Sequence, residues 1–420
     1  MRFTRETISV EKAVQMLLAA TAHPLPEEEI SLYEAHGRVM ARSLQADSDM
    51  PPFDRSPLDG YAVRAEDTVH ASVEHPVWLN VIETIAAGQL PSKQVLPNTA
   101  IRIMTGAQMP EGADAVVMFE QTENPGEISE RVGVKRAMKA GENISRRGEE
   151  ITRGTQVIER GERINGGVMA LLAAFGYVRI PVVRRPRVGL LITGNELLSP
   201  EEPLRPGQIR NSNGPMLAGM IADAGGVPLL FPPLSDHPGV AKEALDQLVD
   251  QVDLFVTTGG VSVGDFDGIA AMTDDDDVQL LFNRVAMRPG SPTTALMYRN
   301  KPLCGLSGNP GACFLGFELF VRPLLAQMMG QTKVLRHSVR ATLGSSCEKP
   351  CPYPRYLRGR LQVENKQLVA YPDKNDKAGN LTTLKNSECF IIIPAGGRGR
   401  SAGEEVEVIL HAMPRFGGES

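Results

Sequence analysis

Residues 253–267 read DLFVTTGGVSVGDFD: a short apolar run, a glycine pair, then hydroxyl and carboxylate side chains. A strand ending in such a loop, with helical sequence on either side, is the repeating unit of an α/β sheet. The unit recurs in both directions. RVGLLI (187–192) runs into Thr193 to Glu196, TGNE. GVPLLFPPL (226–234) runs into Ser235 and Asp236. PLCGL (302–306) runs into SGNPGA, Ser307 to Ala312, and TTALMYR (293–299) adds a further apolar run. Helical patterns over 213–224, 238–251 and 312–329 separate and close these runs. Alternating strand and helix predicts a doubly wound, parallel, helix-covered α/β domain over 185–330.

Upstream, the texture changes twice. Residues 8–45 read as helical: Ser9 can cap a helix through Val14, Leu17 and Leu18, and a second helix is expected over 32–41. A Pro/Gly-rich loop then leads into short β-like runs over 60–144, among them YAVR, VWLNVIET and DAVVMFE. Helix returns near 166–175. These patterns predict a helical/linker domain (1–46 and 145–184) interrupted by an inserted β domain (47–144). Downstream, SVRATL, RYLRGRLQV, QLVAYP, CFIIIP and EVEVIL predict a small β-barrel or sandwich over 331–420.

Composition narrows the function classes. The net charge of −6, from 44 basic and 50 acidic residues, argues against nonspecific nucleic-acid binding. An anionic ligand needs a local basic patch instead. No apolar run approaches the roughly 20 residues of a membrane span. The apolar stretch 13–22 is interrupted by Gln15 and preceded by Glu11 and Lys12, which reads as an amphipathic helix and not a signal peptide. Cys304, Cys313, Cys347, Cys351 and Cys389 are odd in number and dispersed, which points away from a disulfide framework and toward a reducing cytoplasm. Cys347 and Cys351 stand four apart, but no His or second Cys pair completes a zinc set.

In open α/β sheets ligands bind beyond the carboxyl ends of the strands, where the four loops fall. Gly259 and Gly260 free backbone N–H groups to approach phosphate oxygens, and Ser262 adds a hydroxyl. Asp265 or Asp267 could hold a divalent ion against those phosphates. A tight strand-to-helix connection with a capping Asp accounts for the same residues. Gly308, Asn309 and Pro310 open a helix, where backbone N–H groups favour anions. Glu196 reads either as a metal ligand or as a helix N-terminal charge. Arg284 and Arg288, four apart in FNRVAMRPGSP, suit phosphate recognition or ordinary surface. No GxxxxGK[ST], GxSxG or HExxH is present.

Seven motifs together carry a resemblance: PPFDRSPLDGYAV (51–63), IRIMTGAQMPEGADAVVMFEQT (101–122), NISRRGEE (143–150), TGNEL (193–197), TTGGVSVGDFD (257–267), MRPGSP (287–292) and LSGNPGACF (306–314). In this order the chain resembles the MoeA and gephyrin E-domain family of molybdopterin molybdenumtransferases, from about residue 8 to 415. Residues 185–330 also resemble the molybdopterin adenylyltransferase fold. The resemblance implies a four-domain homodimer whose site lies between the sheet domain of one subunit and the loop-bearing domain of the other. It implies cleavage of the pyrophosphate link of adenylated molybdopterin, AMP release, and transfer of molybdenum from molybdate, with a divalent ion, usually Mg2+. It assigns catalytic roles to Asp59, Thr105, Glu196, Asp236 and Asp267, with Glu196 and Asp267 as metal ligands. Gly259, Gly260, Ser262, Arg284, Arg288, Gly308, Asn309 and Pro310 would bind substrate. Molybdopterin adenylyltransferase and molybdoenzyme apoproteins are the implied partners.

The chain departs from the family's pattern at anion-binding positions. KPGKP is here Arg288 to Pro292, with Ser291 for a lysine. PGNPVS is Ser307 to Ala312, losing a proline and a hydroxyl, and Ala378 stands where serine is expected. The expectation is a molybdate step weaker than the pterin step. Two other readings stay open: a pterin-binding or cofactor-delivery paralogue without insertion activity, and an adenylyltransferase on the same ligand, which ATP consumption would reveal.

Overall fold

The computed structural model describes residues 6–21, 23–123, 129–234, 239–259 and 277–413. The chain divides into two compact units. One comprises Met1–Arg42, Arg160–Met169 and Arg179–Ser420; the other comprises Ser43–Glu159 and Ala170–Val178.

The first unit is built on a six-stranded sheet in the order Val227–Leu230, Arg187–Ile192, Leu254–Thr258, Lys301–Leu306, Thr294–Tyr298, Val278–Phe282. The first four strands run parallel, as the alternation predicts. The last two run antiparallel, which corrects the all-parallel expectation at this edge. The cause is the link between Thr294–Tyr298 and Lys301–Leu306. It is only Arg299 and Asn300, both with positive φ (44° and 63°), the backbone of a primed hairpin turn. A parallel pair needs a crossover of a dozen residues or more.

The sheet is covered on both faces, and the strand period of two sorts the side chains. Val188, Leu190, Ile192, Leu254, Val256, Cys304 and Leu306 share a core with Leu217 and Ile221 of the helix Asn213–Asp223 and with the helical stretch beginning at Pro310. Leu191, Phe255 and Leu303 face the other way, onto Leu245 and Leu248 of the helix Val240–Leu248. Each such side chain, once buried, contributes about 1.5–3 kcal/mol. The stretch Pro310–Met328 is continuous, with one π turn at Phe317–Val321. It is long and apolar enough to cross a membrane, contrary to the expectation that no run reaches that length. Yet 83% of its apolar window is buried inside the fold, as in a core helix.

The N-terminal helix Val10–Ala20 forms where expected, with the Lys12 N–H donating to the Ser9 side chain. The second helix, expected over 32–41, does not form. Glu27–Ser31 pairs antiparallel with Arg179–Val183, Ile30 opposite Ile180, and only a one-turn 3-10 helix, Leu32–Glu34, follows. Within 32–41 itself Gly37 takes a φ of +74°, and Val39 and Met40 bridge Arg163 and Val182, so partners distant in sequence override local helix propensity.

The barrel-or-sandwich alternative resolves as a closed barrel: Ser338–Leu343, Gln367–Pro372, Arg355–Glu364, Cys389–Ile393, Glu405–Leu410. It packs against the long helix through the rings of Phe314, Phe390 and His411, with centroids 4.7–5.8 Å apart. Burial pushes His411 down to about 4, so it is neutral there at physiological pH.

The second unit carries a five-stranded sheet in the order Ala115–Met118, Gly60–Val63, Thr99–Ile103, Val77–Ile85, Arg131–Val134. Tyr61, Val63, Ala115 and Val117 fill one face, and Ala62, Val116, Ile101 and Ile103 the other.

Candidate functional site

Ile192, Thr258 and Leu306 end neighbouring parallel strands, so the segments after them open on one rim. A cleft of about 760 Å³ lies there, within the range of small-molecule sites. Thr193 and Glu196 line it from the first loop, Gly259 from the second, and Ser307, Gly308, Asn309 and Pro310 from the third.

The loops pack too closely for most residues. Gly259 has φ +85°, and a Cβ there would stand 2.2 Å from the Thr193 carbonyl oxygen. Only glycine tolerates both the conformation and the approach. Two side chains tie the floor together. Thr258 Oγ1 donates to the Ser307 carbonyl (3.0 Å) and accepts from Asn213 Nδ2 (3.0 Å). The same Nδ2 donates to the Gly308 carbonyl (2.8 Å). Thr193, Gln208 and Asn213 line this cleft, and among the described residues their Oγ1, Oε1 and Oδ1 atoms are buried and have no hydrogen-bond partner. Such groups cost stability unless a ligand or water satisfies them.

The walls mix aliphatic and polar side chains. The short parallel pair Leu197–Leu198 and Ile209–Arg210 forms one side with Leu204. Gly379 and Leu381 form another. Leu204, Ile209 and Leu381 are 59%, 57% and 46% exposed and offer apolar surface on which a planar ring could lie. The segment bearing Gly379 is held by Arg358, which reaches Asp376 Oδ1 (2.6 Å), the Lys377 carbonyl (2.8 Å) and the Asn380 carbonyl (2.9 Å). The Ala378 carbonyl accepts from the Gly311 N–H (2.8 Å), fixing this segment to the start of the helix.

Glu196 is the one carboxylate, and Arg210 the one cation, among the described lining residues. Arg210 Nε and Nη2 both donate to the Glu202 carbonyl. A lone carboxylate fits Mg2+, which keeps several waters and takes one or two carboxylates plus substrate phosphates.

In the second unit the structure joins Asp59 and Thr105. The Thr105 N–H (2.7 Å) and hydroxyl (2.8 Å) both donate to Asp59 Oδ1. These bonds, the backbone one foremost, and the Arg102 charge hold the Asp59 carboxyl below the usual carboxylate range. Thr105→Val is expected to raise the Asp59 titration midpoint, read by carbon-13 NMR of the carboxyl; an unmoved midpoint would show that the hydroxyl contributes nothing. The NISRRGEE motif braces the neighbouring loop: Asp54 accepts from Arg146 Nη1 (2.6 Å) and the Arg147 N–H (2.8 Å).

Of the sequence-predicted residues, Glu196, Gly259, Gly308, Asn309 and Pro310 gather in the cleft. Arg284 and Arg288 are exposed and do not line it. Asp236, Gly260, Ser262, Asp265 and Asp267 lie outside the described residues. Sequence reasoning missed Gln208, Arg210, Asn211, Asn213 and Arg358. The RNSN run at 210–213, four polar residues at the start of an otherwise apolar helix, was the available signal.

Three family models match successive parts of the chain: the MoeA N-terminal region (domain I and II) at 8–176, a probable molybdopterin binding domain at 189–327, and the MoeA C-terminal region (domain IV) at 340–411. The molybdopterin molybdenumtransferase of Bacillus subtilis is 44% identical over 387 residues, 91% of this chain and 89% of that protein. That of Staphylococcus epidermidis is 40% identical over 412 residues, 98% of this chain and 97% of its own length. The crystal structure of the molybdopterin biosynthesis MoeA protein of Pyrococcus horikoshii superposes with a TM-score of 0.83 at 32% identity, covering 97% of this chain and all of that one. With the motifs, the sheet and barrel, and relatives matched over nearly their whole length, this chain belongs to the molybdopterin molybdenumtransferase family.

Proposed function

We propose that the chain inserts molybdenum from molybdate into adenylated molybdopterin, with Mg2+-dependent cleavage of the pyrophosphate link and release of AMP. The observation that carries this reading is the cleft at the strand ends. Its floor is polar and glycine-lined, its walls carry Leu204, Ile209 and Leu381 beside polar side chains, and Glu196 is the one carboxylate among the described lining residues. A ligand with planar rings at both ends and phosphates between them matches that pattern. Mg2+ would supply charge neutralisation of the phosphates. Glu196 would hold it, with Asp267 as the second carboxylate; Asp236, Gly260 and Ser262 belong to the same proposed set. Asp59, ionised and oriented by Thr105, is the proposed catalytic carboxylate of the second unit. Arg284 and Arg288 would attract the anion from exposed positions.

A homodimer, a cytoplasmic setting and the four-domain division given above belong to the same reading. So do an adenylyltransferase as supplier and molybdoenzyme apoproteins as recipients.

The altered anion-binding positions support a molybdate step weaker than the pterin step. Ser291 turns its hydroxyl onto its own loop, donating to the Val285 carbonyl (2.8 Å), and Ala378 offers only a carbonyl, already bonded to Gly311. Each lost charge-assisted hydrogen bond costs about 1.5–3 kcal/mol, or roughly ten- to a hundredfold in affinity. The experiment supplies adenylated molybdopterin and Mg2+ and titrates molybdate while following AMP. AMP release is expected without ATP, with half-saturation well above the low micromolar range. Saturation at low micromolar molybdate would remove the weakened-oxyanion claim. Tight pterin binding without AMP release would favour the delivery protein, and ATP consumption the adenylyltransferase.

A further inference from the structure

The floor of the cleft holds a carboxamide whose orientation is fixed and whose oxygen has no partner among the described residues. Asn213 is 8% exposed. Its Nδ2 lies 2.8 Å from the Gly308 carbonyl oxygen and 3.0 Å from Thr258 Oγ1. A carbonyl only accepts, so Nδ2 has to face Gly308 and the amide cannot be flipped. The Thr258 hydroxyl proton goes to the Ser307 carbonyl, which leaves that oxygen to accept the second Nδ2 hydrogen. Both donors are therefore occupied. Oδ1 is left buried, on a residue that lines the cleft, with no donor among the described residues.

We infer that Asn213 is a specificity-determining residue whose Oδ1 accepts a hydrogen bond from a neutral N–H or O–H donor of the bound ligand. The inference rests on the proposed function and deepens it. Phosphate and dithiolate groups, ionised, are acceptors and cannot satisfy Oδ1. Donors exist only at the two ends of adenylated molybdopterin: ring N–H and exocyclic amine on the pterin, amine and ribose hydroxyls on the AMP half. Asn213 therefore selects an end of the ligand, and the glycine loops beside it are left for the phosphates. Thr193 Oγ1, also buried and unpartnered among the described residues, lines the same cleft as a hydroxyl able to donate, the complementary role.

The test is a double-mutant cycle between Asn213→Ala and deletion of ligand donors, with binding to the full chain read by calorimetry. One arm compares AMP with its 2′-deoxy, 3′-deoxy and purine riboside monophosphate analogues. The other compares pterin with lumazine, in which the exocyclic amine is a carbonyl, and with 3-methylpterin, which lacks the ring N–H. Deleting the matching donor should weaken binding to the parent chain by roughly ten- to a hundredfold, and by less than about twofold in Asn213→Ala. The arm that responds identifies the end. Equal losses in parent and variant for every analogue would overturn the inference while leaving the proposed function standing. Failure of AMP and pterin alike to bind would sink both. If Asn213→Ala does not fold, the parent chain still decides: tolerance of every single-donor deletion within about twofold rules the contact out.

Discussion

Gly259→Ala is expected to slow AMP release at least about a hundredfold while leaving the chain folded. The new methyl group would stand 2.2 Å from the Thr193 carbonyl oxygen and 2.8 Å from its hydroxyl. Neither can retreat easily. The Thr193 N–H donates to the Thr258 carbonyl (3.0 Å), and Thr193 bridges Leu234 on its other side. The loop itself has to move, by on the order of an ångström, and it loses the φ of +85° that alanine adopts only at a cost of about 1–2 kcal/mol. A displacement of that size at a binding loop typically costs about a hundredfold in rate. The sheet below is buried on both faces and should persist, so circular dichroism should be near that of the parent chain. A variant turning over within about threefold of the parent would show that this glycine loop does not position the substrate.

Glu318→Ala should give the largest loss of stability from a single change outside the cleft. The carboxylate sits inside the long helix with its side chain 2% exposed. It accepts from Arg322 Nε (2.7 Å) and Nη2 (2.9 Å) and from Arg336 Nε (2.9 Å). Burial alone would raise its pKa, but the arginine bonds outweigh burial and hold it below the ordinary value of 4.5. Removing it takes the carboxylate from both guanidinium groups and leaves Arg336 only its bond to the His411 carbonyl (3.0 Å), in a partly dry site. Breaking a buried pair in this way costs about 3–5 kcal/mol, on the order of 10 °C in melting temperature. A depressed folded pKa means that Glu318 contributes stability above about pH 4.5, lost as the pH falls through its folded value. The variant's stability should accordingly vary less with pH on the acid side than the parent's. Glu318→Leu with Arg322→Met should recover part of the loss, because one stranded charge leaves with the carboxylate. A melting temperature lowered by less than about 2 °C in Glu318→Ala would show that the cluster is effectively solvated.

The sequence by itself determined what depends on local order. Apolar runs of strand length alternating with helical patterns fixed the sheet's parallel core, and Ser9 marked its helix. The ordered motifs identified the family, and the loops after 192, 258 and 306 were legible as one rim because parallel strands carry their ends to one side. Glu196, Gly259 and the 308–310 turn were accordingly expected on one rim, and they line one cleft. The two-residue link at Arg299 and Asn300 was also legible in principle, being too short for a crossover, and it dictates the antiparallel edge.

Only the tertiary structure decided the rest. Residues 27–31 became a strand because Arg179–Val183 offered backbone partners that no local pattern announces. Arg284 and Arg288 carry the charge that composition asked for, but the fold leaves both exposed and off the cleft lining, whereas Arg358, on the barrel's outer face, anchors the 376–380 segment. Asn213 reads in sequence as the start of a helix. Its bonds to Thr258 and Gly308 cross 45 and 95 residues of chain. Hydrophobic periodicity records which face of an element is buried and carries no information on which polar atoms meet across such separations. The carboxamide oxygen at the floor of the cleft, without a partner among the described residues, takes its place only once three strands have brought their loops together.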